Sequence, residues 1–137
     1  MSPEDAPVNS NINRDGTTRD AIALAVSEAD ACNYCLAAHS YIATNLAKIS
    51  PEEIALNREG RSTDPKRQAA VAFAKALIEK HGKVSDDEFR AVKGAGWTDA
   101  NIVEMIALAA QFLLTNFMNN AVQTPIDFPE VPPAKTA

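Results

Sequence analysis

Four helix-start signals constrain the fold of this chain more than any other feature of its sequence. Ser50-Pro51-Glu52-Glu53 combines a capping serine, a proline at the first helical position and a glutamate at the third. Asp64-Pro65 repeats the cap-then-proline start, and Ser85-Asp86-Asp87-Glu88 reads as a second capping box. Thr98-Asp99 opens the longest apolar pattern, expected to run to about Val122. Gly60, Gly82 and the pair Gly94 and Gly96 fall where the intervening helices should stop, because glycine accepts the left-handed turn that ends a helix.

The first half carries two more helical patterns. One runs from Thr17 or Thr18 to about Ala29 and places Ile22, Leu24, Ala25 and Val26 mostly on one side. A second is expected to begin near Cys32, capped by Asp30, and to continue through Leu36, Tyr41, Ile42 and Leu46. Ala70, Val71, Ala74, Leu77 and Ile78 form the apolar stripe of the helix after Asp64. The last helix is expected to bury Ile102, Ile106, Leu113 and Phe117, and the spacing of Met105, Phe112, Phe117 and Met118 reads as core packing. Trp97 is expected to anchor that helix at its start. Alternation and hairpin signals are absent, so no strand is expected. The prediction is an all-α bundle of about six helices over residues 17–123. An N-terminal arm (1–16) and an extended proline-rich tail (124–137), with Ile126 and Phe128 free to pack, complete the chain.

With 137 residues, 46% of them hydrophobic and 23% charged, the chain is long enough to bury one core. A net charge of −5 without basic clusters argues against a nucleic-acid partner. No apolar run approaches the roughly 18 residues of a membrane span, and the N-terminus does not read as a secretory signal. The expected compartment is therefore the cytoplasm, where structural disulfides are rare. The two cysteines are three residues apart and close too short a loop to staple a fold. Their value is expected to be chemical.

Cys32, Cys35 and His39 are spaced by three and four residues, so on a helix they share a face. The sulfurs can meet, and an imidazole one turn beyond Cys35 can accept the thiol proton or stabilise the thiolate. The start of a helix also favours negative charge, so both thiolates should form more readily than that of free cysteine. A thiolate attacks peroxides and disulfides, and a second thiol can resolve the product as an internal bridge. Other readings stay open. A CxxC pair with one histidine is half of a zinc site, although only His81 remains as a further histidine. Two cysteines can also be inert core residues, and a lone histidine a satisfied polar group.

The stretch Arg19 to His39, ending Ala-Cys-Asn-Tyr-Cys-Leu-Ala-Ala-His, resembles the core of the carboxymuconolactone decarboxylase superfamily. More closely it is similar to the alkylhydroperoxidase AhpD-like branch, with a carboxylate twelve residues before a CxxC and then three residues and a histidine. Similarity continues through Ser50 to Ile54, Val84 to Asp86, Thr115 to Phe117 and Ile126 to Pro129, covering about residues 18–129. The resemblance implies an all-helical, AhpD-like fold, a homo-oligomer and a thiol-dependent peroxidase without a cofactor or metal. By position, Cys35 would attack a hydroperoxide, Cys32 would resolve, His39 would relay protons and Asp20 would stand for the family's glutamate. Glu28 is a neighbouring carboxylate. A dihydrolipoyl group or a thioredoxin-like protein would be the reductant. Tyr34 stands where the best-studied branch has a histidine between the cysteines. Asn119-Asn120 stands where close relatives often have a histidine. Relatives also often carry further helices before the catalytic segment, so a partner subunit is expected to cover the exposed apolar surface, chiefly on the long last helix and tail. A dithiol-exchange or redox-sensing protein, or an assembly module with idle cysteines, are the alternatives.

Overall fold

The computed structural model describes residues 16–132, so the arm expected over 1–16 lies almost wholly outside the described residues. Six helices follow one another: α1 (Gly16–Ala29), α2 (Asn33–Asn45), α3 (Pro51–Arg58), α4 (Pro65–Glu79), α5 (Asp86–Gly94) and α6 (Asp99–Val122). No strand occurs among the described residues, and the all-α expectation holds.

The caps act as their residue types dictate. Ser50, Asp64, Ser85 and Thr98 each accept a backbone N–H of the first turn they precede. Ser85 and Glu88 complete a reciprocal box, and Thr98 does so with Asn101. Ser50 lacks the reciprocal half because Glu53 turns inward. Its carboxylate accepts from Asn57 Nδ2 at 3.0 Å, Thr63 N at 3.1 Å, Thr63 Oγ1 at 2.9 Å and the Ser62 hydroxyl, with Arg67 3.8 Å away. This one carboxylate ties the α3–α4 loop to both helices. Burial alone would raise its pKa, but the combined hydrogen bonds from Ser62, Thr63 and Asn57 outweigh that and hold it at about 2.

The first helix is the centre of the molecule. Every residue from Asp20 to Ser27 is buried, not one face only, and α1 packs against α2, α3, α4 and α6. Small side chains at Ala21, Ala23, Ala25 and Ser27 let those neighbours close in. On one side Ile22, Ala23 and Val26 join Phe73, Ala74, Val92, Met105, Leu108 and Phe112. Opposite, Leu24 meets Ala43, Ile49 and Ile54. A continuous apolar run such as Ala21 to Val26 is what a helix buried all round requires.

The last helix departs from the expected face. Ile102, Met105, Leu108, Ala109, Phe112 and Asn116 are buried, whereas Ile106 is 42% exposed and Phe117 56% exposed, and Leu113 is only half-buried. Met118 is exposed as well, so only Met105 and Phe112 of the expected aromatic and methionine set are core. The buried stripe is set by contact with α1 and α4, and the helix has apolar residues to spare on the other side. That surplus makes α6 long and apolar enough to cross a membrane by length and composition, which the sequence reading had not allowed for; 39% of its most apolar window is buried against the rest of the protein. Trp97 anchors its start as expected: the indole N–H donates to Lys66 O at 2.8 Å and the Lys66 ammonium lies 4.4 Å from the ring centre.

After Gln123, which caps α6 in the left-handed conformation, the chain turns back as an extended tail. Phe128 packs edge-on to Tyr34 and tilted against Tyr41, and Arg58 donates to Pro132 O. The tail therefore lies across α2, beside the cysteine pair. Ile126 is half-buried.

Candidate active site

Cys32 is not in the helix but caps it. Ala31, at φ 53°, turns the chain sharply after α1, Cys32 takes an extended backbone, and its Sγ accepts the Cys35 N–H at 3.3 Å. The expected cap, Asp30, does not reach the helix. Its N–H closes the end of α1 on Val26 O, and its buried Oδ2 has no hydrogen-bond partner among the described residues. Burial raises the pKa of Asp30 accordingly.

Both thiols are free and buried, Cys32 completely and Cys35 at 4% exposure. Their environments differ. Cys32 lies beneath the α1–α2 turn beside Ser27 and Asn116, both fully buried, with Asn116 Nδ2 donating to Ser27 Oγ at 3.1 Å. Burial pushes the Cys32 thiol up to about 12. A hydrogen bond and repulsion involving the Cys35 side chain add to that rise, against smaller opposing effects of the Cys35 N–H and the Asn116 side chain. The expectation of an easily formed thiolate is therefore wrong for Cys32: a cap position supplies one backbone N–H, and complete desolvation outweighs it. Cys35 meets a different partner, Asn119 of α6, whose Nδ2 stands 3.5 Å from its Sγ.

His39 lies one turn beyond Cys35 on α2, its ring edge-on to Phe112 at 5.3 Å. Among the described residues no hydrogen bond joins it to Cys35 or Asp20, and its Nδ1 is buried without a partner. Burial, and secondarily the charge of Arg19, lower its pKa to about 4, so it is a neutral imidazole at pH 7. Arg19 also lies 5.8 Å over the Phe112 ring. Asp20 is buried in α1, where desolvation raises its pKa against the smaller opposing pull of Arg19. Arg19 thus acts on both residues of the expected relay. Glu28 is taken by Arg58, at 3.0 Å, and clamps α1 to α3. Tyr34 points to the tail and contacts Phe128.

The structure thus brings Cys32, Cys35, Asn116 and Asn119 together, and groups His39 with Arg19 and Phe112. Sequence reasoning gave Arg19 and Asn116 no role, and it named Asn119 only with Asn120, as standing where relatives often have a histidine. The asparagines lie on α6, about 80 residues from the cysteines, and no local spacing could have linked them. Arg19 stood beside Asp20 in the matched stretch, and its charge was the available signal. No group of three or more His, Cys, Asp or Glu residues placed to hold a metal occurs among the described residues.

These features define an all-helical protein with a buried dithiol at the start of its second helix. No family model matches the chain, and no curated protein does. Solved structures do. The alkylhydroperoxidase AhpD core structure of an uncharacterized peroxidase-related protein from Ralstonia eutropha JMP134 superposes with a TM-score of 0.70 at 28% identity, covering 81% of this chain and 60% of that one. An uncharacterized peroxidase-related protein from Silicibacter sp. TM1040 shares the fold, with a TM-score of 0.69 at 19% identity, over 86% of this chain and 61% of that one. The chain thus spans about 60% of the length of these structures. Its helical core is similar to that of the AhpD core structure, and Cys32–Cys35 supplies the CxxC motif by which the sequence resembles the AhpD-like branch of the carboxymuconolactone decarboxylase superfamily.

Proposed function

We propose that this protein is a thiol-dependent peroxidase that reduces hydroperoxides through Cys35 and Cys32. The observation that carries the reading is the asymmetry of the pair: Cys32 is fully buried and held as a thiol, while Cys35 carries an N–H donor on its sulfur. A nucleophile with a protonated thiol in reserve is what the two steps need. In the first, the Cys35 thiolate attacks the distal oxygen of ROOH. An S–O bond forms, the O–O bond breaks, and the departing alkoxide takes the proton that Cys35 had given up. In the second, the Cys32 sulfur attacks the sulfenic sulfur, the S–O bond breaks, and water leaves with the Cys32 proton. Two thiols and ROOH become a disulfide, ROH and water. A dithiol reductant, dihydrolipoyl or thioredoxin-like, returns two electrons and two protons.

His39 relays the Cys35 proton through an intervening water or the hydroperoxide itself. Burial favours the neutral form of His39, the form that can accept a proton. By its place in the matched stretch Asp20 is the candidate for the distal carboxylate of that relay, and burial raises its pKa. The near-complete burial of both sulfurs favours small hydroperoxides over exchange with folded protein disulfides, the second reading.

The test is rapid mixing of the reduced protein with hydrogen peroxide and, separately, cumene hydroperoxide, followed by mass spectrometry. Bridge formation far faster than for free cysteine is expected; Cys35→Ser should abolish the reaction with peroxide, and Cys32→Ser should consume one equivalent and stop at the sulfenic acid without a bridge. A rate no faster than free cysteine sinks the peroxidase reading and favours exchange or sensing.

The exposed apolar face of α6 supports a homo-oligomer. Val103, Leu114, Phe117, Met118 and Val122 are all more than half exposed, and Ile106, Leu113 and Phe117 line an open groove of about 420 Å³ against α4. A monomer by light scattering at micromolar concentration contradicts that assembly.

A further inference from the structure

We propose that Asn119 is a catalytic residue, an amide donor to the Cys35 sulfur, and that the C-terminal cap of α6 sets its orientation through Thr124. The proposal rests on the peroxidase reading for its role in turnover, but its geometry stands independently.

An asparagine side chain can present either its oxygen or its nitrogen, and only the nitrogen can donate to a thiolate. Two contacts fix the choice. Asn119 Nδ2 donates to Thr115 O at 2.9 Å, and a backbone carbonyl can only accept. Asn119 Oδ1 accepts the Thr124 hydroxyl at 2.7 Å. With Oδ1 held by Thr124 and one amide hydrogen on Thr115 O, the remaining hydrogen is left for Cys35 Sγ, 3.5 Å away.

Thr124 reaches back because of how α6 ends. Gln123 adopts φ 52°, ψ 52°, and the N–H groups of both Gln123 and Thr124 fold onto Asn119 O, at 3.1 Å for Thr124. The left-handed residue therefore returns the Thr124 side chain to the turn that carries Asn119. Asn119 acts as donor while Thr124 is a positioning residue, and the same backbone turn starts the tail that crosses α2.

The donor meets a need that His39 leaves open. A neutral imidazole without a hydrogen bond to Cys35 places no positive charge on the sulfur. A fixed neutral donor stabilises the anion without a competing titration, which an imidazolium in this apolar surrounding could not do.

The test uses full-length reduced protein in which Cys32→Ser leaves Cys35 as the only thiol. The pH–rate profile of iodoacetamide alkylation is recorded for this background and with Asn119→Leu, Asn119→Asp, Thr124→Val and Thr124→Ser added. Losing a hydrogen bond to a charged sulfur should slow alkylation about tenfold at pH 7 in Asn119→Leu and displace its profile upward by about one pH unit. Asn119→Asp, which sets a carboxylate against the thiolate, should be slower still. Thr124→Val should lose about threefold, as the amide gains freedom to rotate, and Thr124→Ser should restore the background profile. Packing damage alone would lower thermal stability without moving the profile. A profile unchanged in Asn119→Leu, with native circular dichroism, overturns the donor role, and an unchanged Thr124→Val overturns the positioning role. Alkylation needs no peroxide, so shifted profiles in a protein inert to hydroperoxides would sink the peroxidase reading and leave this one standing.

Discussion

Replacing His39 by glutamine should remove a specific loss of stability at mildly acid pH. In the folded protein the imidazole binds a proton only near pH 4, first because it is buried and then because Arg19 repels the cation; in the unfolded chain it does so near 6.5. The unfolded state therefore binds more protons between those values, and the stability of the fold falls as pH drops from 6.5 towards 4. A gap of about 2.5 units corresponds to at most about 3 kcal/mol, of which about 2 kcal/mol is already lost at pH 5. Asp20 and Asp30 act in the opposite sense, since their raised pKa values favour the folded state as pH falls. A difference against His39→Gln isolates the histidine, because glutamine stays neutral and leaves the aspartates in place. Urea unfolding of both proteins at pH 7 and pH 5, at one fixed protein concentration, measures it. The wild type should lose about 2 kcal/mol more than the variant over that interval. Parallel losses would refute the view that His39 is held as a buried neutral ring.

Glu53→Gln should act in a lower window. The carboxylate titrates at about 2 when folded and near 4.5 when unfolded, so its stabilisation is present above pH 4.5 and lost as pH falls towards 2. Acid unfolding should show the wild type losing up to about 3 kcal/mol relative to the variant. Trp97→Phe removes the indole donor and leaves Lys66 O without that partner, at a cost of about 1–2 kcal/mol in urea unfolding. Phe128→Ala should release the tail from Tyr34 and Tyr41, at a cost of about 1–3 kcal/mol for two ring contacts. Limited proteolysis after residue 123 should quicken, and an unchanged rate would contradict the docking.

The helix boundaries were legible in the sequence because capping is local. Ser50-Pro51, Asp64-Pro65, Ser85 and Thr98 satisfy backbone groups within three residues of themselves, so the residue types alone fix where α3 to α6 begin. The Cys32-x-x-Cys35-x3-His39 spacing was equally plain, and with it a candidate site at the start of the second helix. Which face of α6 is buried was not legible. Its apolar residues run round more of the helix than one stripe can use, and the contacts of α1 and α4 choose Met105, Leu108 and Phe112 over Ile106 and Phe117. The different surroundings of the two thiols were also decided in three dimensions. Desolvation of Cys32 depends on how deeply the α1–α2 turn sinks beside Asn116, and the donor on Cys35 comes from Asn119, 84 residues away. Local hydrogen bonds within a helix turn are short-range and are written in neighbouring residues. Burial and the orientation of a distant amide are sums over the packed whole, and only the tertiary structure determines them.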